Sequence, residues 1–491
     1  MDSFHKYKII FLIAIFIFSY RNNFFFNGII ILVILDQLKY LYYKRYINGP
    51  KFVIPFIGSL FGSFYPEFKN YIDIWNFGEI SCSSVLHKFI VFANSNELSK
   101  KVFNTPKEFT PLGVASMKQI FFHDNWIFLQ GKEHSQYRKL LLPLFTKNAL
   151  SFYLPIQEQV YKKNTNKWFI ESKLQPIQMI NRIREMNMET ALEVFCGKFY
   201  LNDTIVKEMT DAFKTLTLAL QLVNIPFNIP GTSLNKAIKS RNLILNFISK
   251  CIDNSKQKIL NKEKPESLLE KWLVKIYMDE TYKVNKEFTN HELSLVIMTM
   301  IFASQDASTS SLVWALQILA NHPKIINKIR MEQKINRPNN ENLTFENIQK
   351  MSYLWNVVKE ILRFRPPVLM MPYEAQMDTK LGNHSIKKGA VTIASIYPSL
   401  HDPEVFKNPD KFDPERFQDN DKLSQNYLVF GFGPHMCIGK DYAMTHLIAF
   451  LSYLLTNYNI EHIKTEKSEN IIILATIFPE DGCFIKLYEN K

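Results

Sequence analysis

The 491-residue chain has only five cysteines, Cys82, Cys196, Cys251, Cys437 and Cys483. They are odd in number, widely spaced, and form none of the paired spacings of a zinc site or a disulfide framework. That excludes a small disulfide-stapled fold and places the catalytic part in a reducing compartment, while leaving room for one cysteine with a special role. Internal repeats and low-complexity tracts are also missing. So is any block of basic residues: the formal net charge is +13, but the lysines and arginines are scattered through helical and loop segments. Scattered charge argues against a nucleic-acid partner and for a solvated basic surface that can meet an acidic protein or an anionic membrane.

Apolar residues are plentiful. They make up 47% of the chain, enough to bury a large core and to exclude a disordered protein. The main compositional break is at the amino terminus. Ile9 to Tyr20 is almost wholly apolar, Arg21, Asn22 and Asn23 interrupt it, and Phe24 to Leu35 is apolar again. Neither run alone reaches the ~20 residues of a spanning helix. Together they can span, or the second can with its flanks. No small-residue cleavage site follows, so residues 1–48 read as an uncleaved membrane anchor and its flank. Lys39, Lys44, Arg45 and Lys51 follow it, and the positive-inside tendency puts that side, and with it the remainder, in the cytosol.

Gly49-Pro50 and Pro55-Phe56-Ile57-Gly58 form a turn-rich hinge into a single body spanning 49–491. The clearest helix begins at Thr289, where Thr289-Asn290-His291-Glu292 fits a capping box, and runs to Asn321-His322-Pro323. A second is expected from Ile348 to Phe364, stopped by Pro366-Pro367, and a short strand from Ala390 to Ile396. The fold class is mainly α with a smaller β part (α+β).

The most informative stretch is Phe430-Gly431-Phe432-Gly433-Pro434-His435-Met436-Cys437-Ile438-Gly439. A metal-bound thiolate in an apolar setting needs backbone N–H groups aimed at sulfur, and glycines let the main chain come that close. The spacing F-x-x-G-x-[HR]-x-C-x-G resembles the cysteine-ligand loop of the cytochrome P450 family, and Asp441 to Asn457 reads as the helix that follows it there. The resemblance implies the P450 fold, with haem b ligated by Cys437. It also places Phe430, Gly433 and Gly439 around the ligand and His435 against a haem carboxylate.

Other segments resemble family motifs in the right order. Glu360-Ile361-Leu362-Arg363 matches E-x-x-R, and Pro414-Glu415-Arg416-Phe417 matches P-E-R-F, so Glu360, Arg363 and Arg416 are expected as a buried network steadying the haem-binding core. Gly131 to Arg138 looks like the propionate-binding helix. Arg138 matches, and His134 stands where many members have tryptophan. On the long helix, Ala303-Ser304-Gln305-Asp306-Ala307-Ser308-Thr309 matches the oxygen-binding pattern A-G-x-D-T-[TS] imperfectly. Asp306 aligns with the acid of the proton relay. Ala307 falls on the usual threonine, which leaves Ser308, Thr309, Gln305 or ordered water for proton delivery.

The family implies oxygen activation with electrons from NADPH-cytochrome P450 reductase, with cytochrome b5 as a further partner, at the endoplasmic reticulum membrane. The run Phe302 to Ser311 and the loop Gly433 to Cys437 look like the sterol C-22 desaturase branch, which also lacks that threonine. A rigid apolar sterol needs an apolar pocket. Its candidate lining is Phe302, Ala303, Ala307, Val368, Leu369, Met370, Met371, Ile477, Phe478 and the segment Phe109 to Phe122. Within the family the rivals are a sterol 14α-demethylase or another lipid or steroid hydroxylase. Outside it they are a haem-thiolate isomerase that uses hydroperoxides without a reductase, and a haem sensor or carrier.

Overall fold

The computed structural model describes residues 23–55, 58, 67–85, 88–113, 115–220, 227–278, 287–418 and 420–490. The apolar run Ile9–Tyr20, Arg21 and the hinge residues Phe56 and Ile57 lie outside them. The chain divides into two compact units, 1–112 with 371–398, and 113–370 with 399–491.

The first unit holds the larger sheet. Its strands lie in the order Ile80–Val85, Lys88–Ala93, Val391–Ser395, Met370–Ala375 and Phe109–Pro111. The first two form an antiparallel hairpin with Ile80 opposite Ala93. Lys88–Ala93 then pairs in parallel with Val391–Ser395, Ile90 opposite Val391. The strand expected at Ala390–Ile396 is thus present and central. Central position explains why nearly all of it is buried. This unit also carries the helix Asn23–Lys44, which takes up the second apolar run of the amino terminus. Ile31, Leu32, Ile34, Leu35 and Leu38 on it are each half or more exposed. Among the described residues, no helix is long and apolar enough to cross a membrane.

The second unit is helical and is organised by the helix Asn290–Ala320. Thr289 and Glu292 form the capping box: Thr289 Oγ1 accepts from Glu292 N at 3.2 Å and the Glu292 carboxylate accepts from Thr289 N at 3.0 Å. Thirty-one residues give a rod about 46 Å long. It packs against Met179–Cys196, Ser233–Leu260, Lys440–Asn457 and the strand Thr476–Pro479. Being apolar nearly all round, it can only be stable inside. Leu293–Ile301 contributes to one buried apolar cluster and Leu312–Leu319 to a second. Between them lies Phe302–Ser311, where the polar residues gather.

The helix expected over Ile348–Phe364 is two helices, Phe345–Lys350 and Ser352–Phe364, separated at Met351. The break is held by a neighbour. The Glu332 carboxylate accepts from Tyr353 N at 2.6 Å and Leu354 N at 3.0 Å, capping the second helix from outside its own sequence. Trp355 Nε1 then donates to Ile348 O at 2.9 Å across the break.

Candidate functional site

The cysteine loop enters the helix Lys440–Asn457, whose start extends the expected Asp441 by one residue. Cys437 N donates to Phe430 O at 2.8 Å, which closes the loop on itself. Gly431 and Gly433 both sit at positive φ, +72° and +71°, so side chains there are strained. Gly439 is not of this kind. A Cβ on it would stand 4.0 Å from Cys437 Sγ, in ordinary contact, and its role is to donate its backbone N–H to the sulfur.

Cys437 is exposed and yet enclosed by protein. The two facts together describe a side chain on the floor of a deep cleft. Burial pushes the thiol pKa up, while the Gly439 N–H and the charges of Arg138 and Lys440 pull against it. Binding to a metal deprotonates such a thiol outright. Phe430 packs on the second apolar cluster and lies 6.4 Å from the Tyr427 ring.

Beside the loop, the helix Gly131–Leu141 brings His134 and Arg138 to His435. The His134 and His435 rings stack at 4.1 Å between centroids. Burial, with His134 and Arg138 next to it, pushes the His435 pKa down to about 4. Burial and Arg138 also lower that of His134. Among the described residues no carboxylate pairs with Arg138. Three cationic or hydrogen-bonding groups gathered without an acid between them suit a group that brings its own negative charge. A buried orphan points the same way. Trp126 Nε1 finds no acceptor among the described residues, in the turn just before this helix. A thiolate donor in a deep cleft with a cationic cradle fits a thiolate-ligated haem with carboxylate arms.

The family resemblance assigns the opposite wall to the long helix. Of its residues from Leu293 to Leu319, only Phe302, Ala303, Ser304 and Ala307 are not buried. Small residues with an open face inside a buried helix mark the cleft. Phe302 meets Phe121 edge to face at 4.8 Å. The other polar candidates point elsewhere. Asp306 Oδ1 accepts from Arg184 Nε and Nη2 at 3.2 and 2.9 Å, and Oδ2 accepts from Thr217 Oγ1 at 2.5 Å. Gln305 Nε2 donates to Arg184 O at 2.8 Å. Thr309 Oγ1 donates to Gln305 O and accepts from Asn187 Nδ2, at 2.8 and 3.0 Å. Ser308 is buried. Asn187 continues to His446 Nε2 at 3.0 Å, and His446 Nδ1 to Tyr161 at 2.7 Å, so this face is tied to the helix that leaves the cysteine loop.

The E-x-x-R and P-E-R-F residues meet as expected from their motifs. Arg363 Nε and Nη2 donate to the two Glu360 oxygens at 2.8 and 2.9 Å, and Arg416 Nε joins at 3.0 Å. Glu360 and Arg363 are fully buried.

The pocket candidates divide. Val368 and Met370 are half-buried and Leu369 is buried, while Met371 is exposed. Ile477 is buried, and its carbonyl accepts from Ser310 Oγ and Trp314 Nε1 at 2.5 and 3.2 Å. Phe478 belongs to the second apolar cluster, with the Arg184 guanidinium 5.5 Å over its ring. Sequence reasoning missed Arg184, Thr217, Asn187, Trp126 and Gly431. Only Gly431, a glycine inside the motif, carried any signal.

A family model for "Cytochrome P450" matches residues 49–486. The chain is 38% identical over 476 residues to "C-22 sterol desaturase erg5" of Aspergillus fumigatus, covering 91% of each. It is 39% identical over 473 residues to "C-22 sterol desaturase ERG5" of Saccharomyces cerevisiae, covering 93% of this chain and 88% of that one. Among solved structures, "Retinoic acid bound cyanobacterial CYP120A1" superposes with a TM-score of 0.79 at 23% identity, over 90% of this chain and 99% of that one. At that identity the likeness concerns the fold.

Proposed function

The chain belongs to the cytochrome P450 family, and from that premise we infer that it is a sterol C-22 desaturase. The observation that carries this reading is the similarity to fungal C-22 sterol desaturases along most of both chains. The cleft wall agrees with it. Ala303 and Ala307 offer apolar surface with little bulk beside the Phe302 ring, as a rigid hydrocarbon substrate requires. The family carries a thiolate-ligated haem and uses dioxygen.

When bound, the haem would supply oxygen activation: with O2, two electrons and two protons, two hydrogens leave adjacent side-chain carbons and two molecules of water form. The residues hold and orient. Cys437 would supply the thiolate, with the Gly439 N–H and the charges of Arg138 and Lys440 opposing the burial that raises its pKa. Arg138, His435 and His134 would hold the haem carboxylates, and Phe430 and Gly433 shape the cysteine loop. Glu360, Arg363 and Arg416 keep the surrounding core rigid. Asp306 is held by Arg184 and Thr217. Phe302, Ala303, Ala307, Val368, Leu369, Met370, Met371, Ile477 and Phe478 remain the candidate lining. Electrons come from NADPH through NADPH-cytochrome P450 reductase, with cytochrome b5 as a second donor. Residues 1–48 anchor the catalytic domain, 49–491, to the endoplasmic reticulum, facing the cytosol.

The test is incubation with reductase, NADPH, O2 and a Δ5,7-sterol, which is expected to yield the 22-ene. An alcohol, or release of the 14-methyl group as formate, overturns desaturation in favour of a hydroxylase or 14α-demethylase. Turnover of a hydroperoxide without NADPH identifies an isomerase, and haem binding with no NADPH-dependent product identifies a sensor.

A further inference from the structure

The wall of the cleft contains one hydroxyl that the family's oxygen-binding pattern does not provide. On the long helix, Ala303, Ser304 and Ala307 are not buried and fall within about 100° of one another on a 3.6-residue helix, with Phe302 to the other side of Ala303. Ser304 is the polar member of that face. Every neighbouring polar group on the helix whose bonds are known has them elsewhere. Gln305 bonds Arg184 O, Asp306 is held by Arg184 and Thr217, Thr309 is held by Gln305 O and Asn187, Ser310 bonds Ile477 O, and Ser311 bonds Ala307 O. Ser308 is buried.

Against the pattern A-G-x-D-T, Ser304 stands where glycine is usual and Ala307 where threonine is usual. The alcohol has moved three residues toward the helix amino terminus, a displacement of about 4.5 Å along the axis. Its Oγ donates to Ile301 O at 2.9 Å, a back-bond to a carbonyl one turn earlier. A serine hydroxyl rotates freely about Cα–Cβ and Cβ–O, so it can exchange that carbonyl for an acceptor in the cleft.

We propose that Ser304, in place of the absent threonine and instead of Ser308, Thr309 or Gln305, is the hydrogen-bond donor that this helix presents to a water or small oxygen-bearing ligand between itself and the haem face. The proton is held at Ser304 Oγ and shared with that ligand, and no bond to carbon changes. Both Asp306 oxygens are taken up by Arg184 and Thr217. The inference rests on the thiolate-haem reading of the cleft and not on which sterol is turned over.

The probe is carbon monoxide bound to the reduced full-length protein, read by infrared C–O stretching. A hydroxyl donating toward the probe lowers the stretch, so Ser304→Ala is expected to shift it to higher wavenumber. Ser304→Thr should keep the wild-type band, and the double variant Ser304→Ala with Ala307→Thr should return it toward wild type. In turnover, Ser304→Ala should lose product per NADPH and release hydrogen peroxide instead. A red-shifted Soret band in each variant reports that it has folded and bound haem. An unmoved C–O stretch in Ser304→Ala overturns the proposal, as does a shift produced by Ser308→Ala or Thr309→Ala alone. Absence of the red-shifted band from the wild type removes the haem reading itself, which separates the two failures.

Discussion

Arg363→Ala probes the network that steadies the cysteine core. Arg363 makes two bonds to Glu360, one to Leu400 O at 3.0 Å and one to Lys411 O at 3.4 Å. Glu360 in turn receives Arg363 twice, Arg416 Nε, and Asp413 N at 2.9 Å. Removing one member of a buried pair costs about 3–5 kcal/mol because the remaining charge is stranded. Here Arg416 and Asp413 N stay with Glu360, which moderates the loss. The Leu400 carbonyl also loses its donor, at about 1–3 kcal/mol, whereas Lys411 O keeps Arg416 Nη2 at 2.9 Å. A net cost of about 4 kcal/mol follows, a large share of the ~5–15 kcal/mol by which domains are stable. The assay is the ratio of the red-shifted CO band to total protein, together with the thermal midpoint of haem loss. Both should fall sharply. Arg416→Ala should fall less, because its Nη bonds to Lys407 O, Asn408 O and Lys411 O lie at the surface, where water replaces them. Wild-type haem content and midpoint in Arg363→Ala would refute the reasoning.

Cys437→Ser should abolish the red-shifted CO band while leaving the far-ultraviolet circular dichroism intact; a retained band would move the ligand elsewhere. His446 is buried between Tyr161 and Asn187 and its pKa is pushed down to about 4 by burial. Its folded pKa lies below the unfolded value of about 6.5, so the stability it confers is full above about 6.5 and is lost as pH falls through 4, up to roughly 3 kcal/mol. His446→Gln should flatten the pH dependence of the unfolding midpoint across that window, and identical slopes would contradict this. Arg184→Ala should destabilise by about 3–5 kcal/mol by stranding Asp306, and a combined apolar replacement of both residues should recover most of it, as read by thermal melts.

Much of the site was legible because its chemistry depends on short spacings. The thiolate-loop motif sets Phe430, Gly433, His435 and Gly439 at fixed offsets from Cys437, and three-residue spacing puts Glu360 and Arg363 on one helix face. The capping box at Thr289 was readable for the same reason. The break at Met351 was not, because its cap, Glu332, comes from another helix. Nor could the sequence tell which polar residues of the long helix face inward, since Ser304, Gln305, Asp306, Ser308 and Thr309 differ only in angle and each can satisfy its bonds on any side.

The sequence by itself therefore determined the candidate ligand, the family motifs and the missing threonine, all of which reside in residue identity and local spacing. Only the tertiary structure decided the direction of the helix. Arg184, Asn187 and Thr217 lie far from Asp306 and Thr309 along the chain, yet their bonds draw those side chains away from the cleft and leave Ser304 on its wall. A buried polar group goes where its partner is, and the partner's position is a property of the fold.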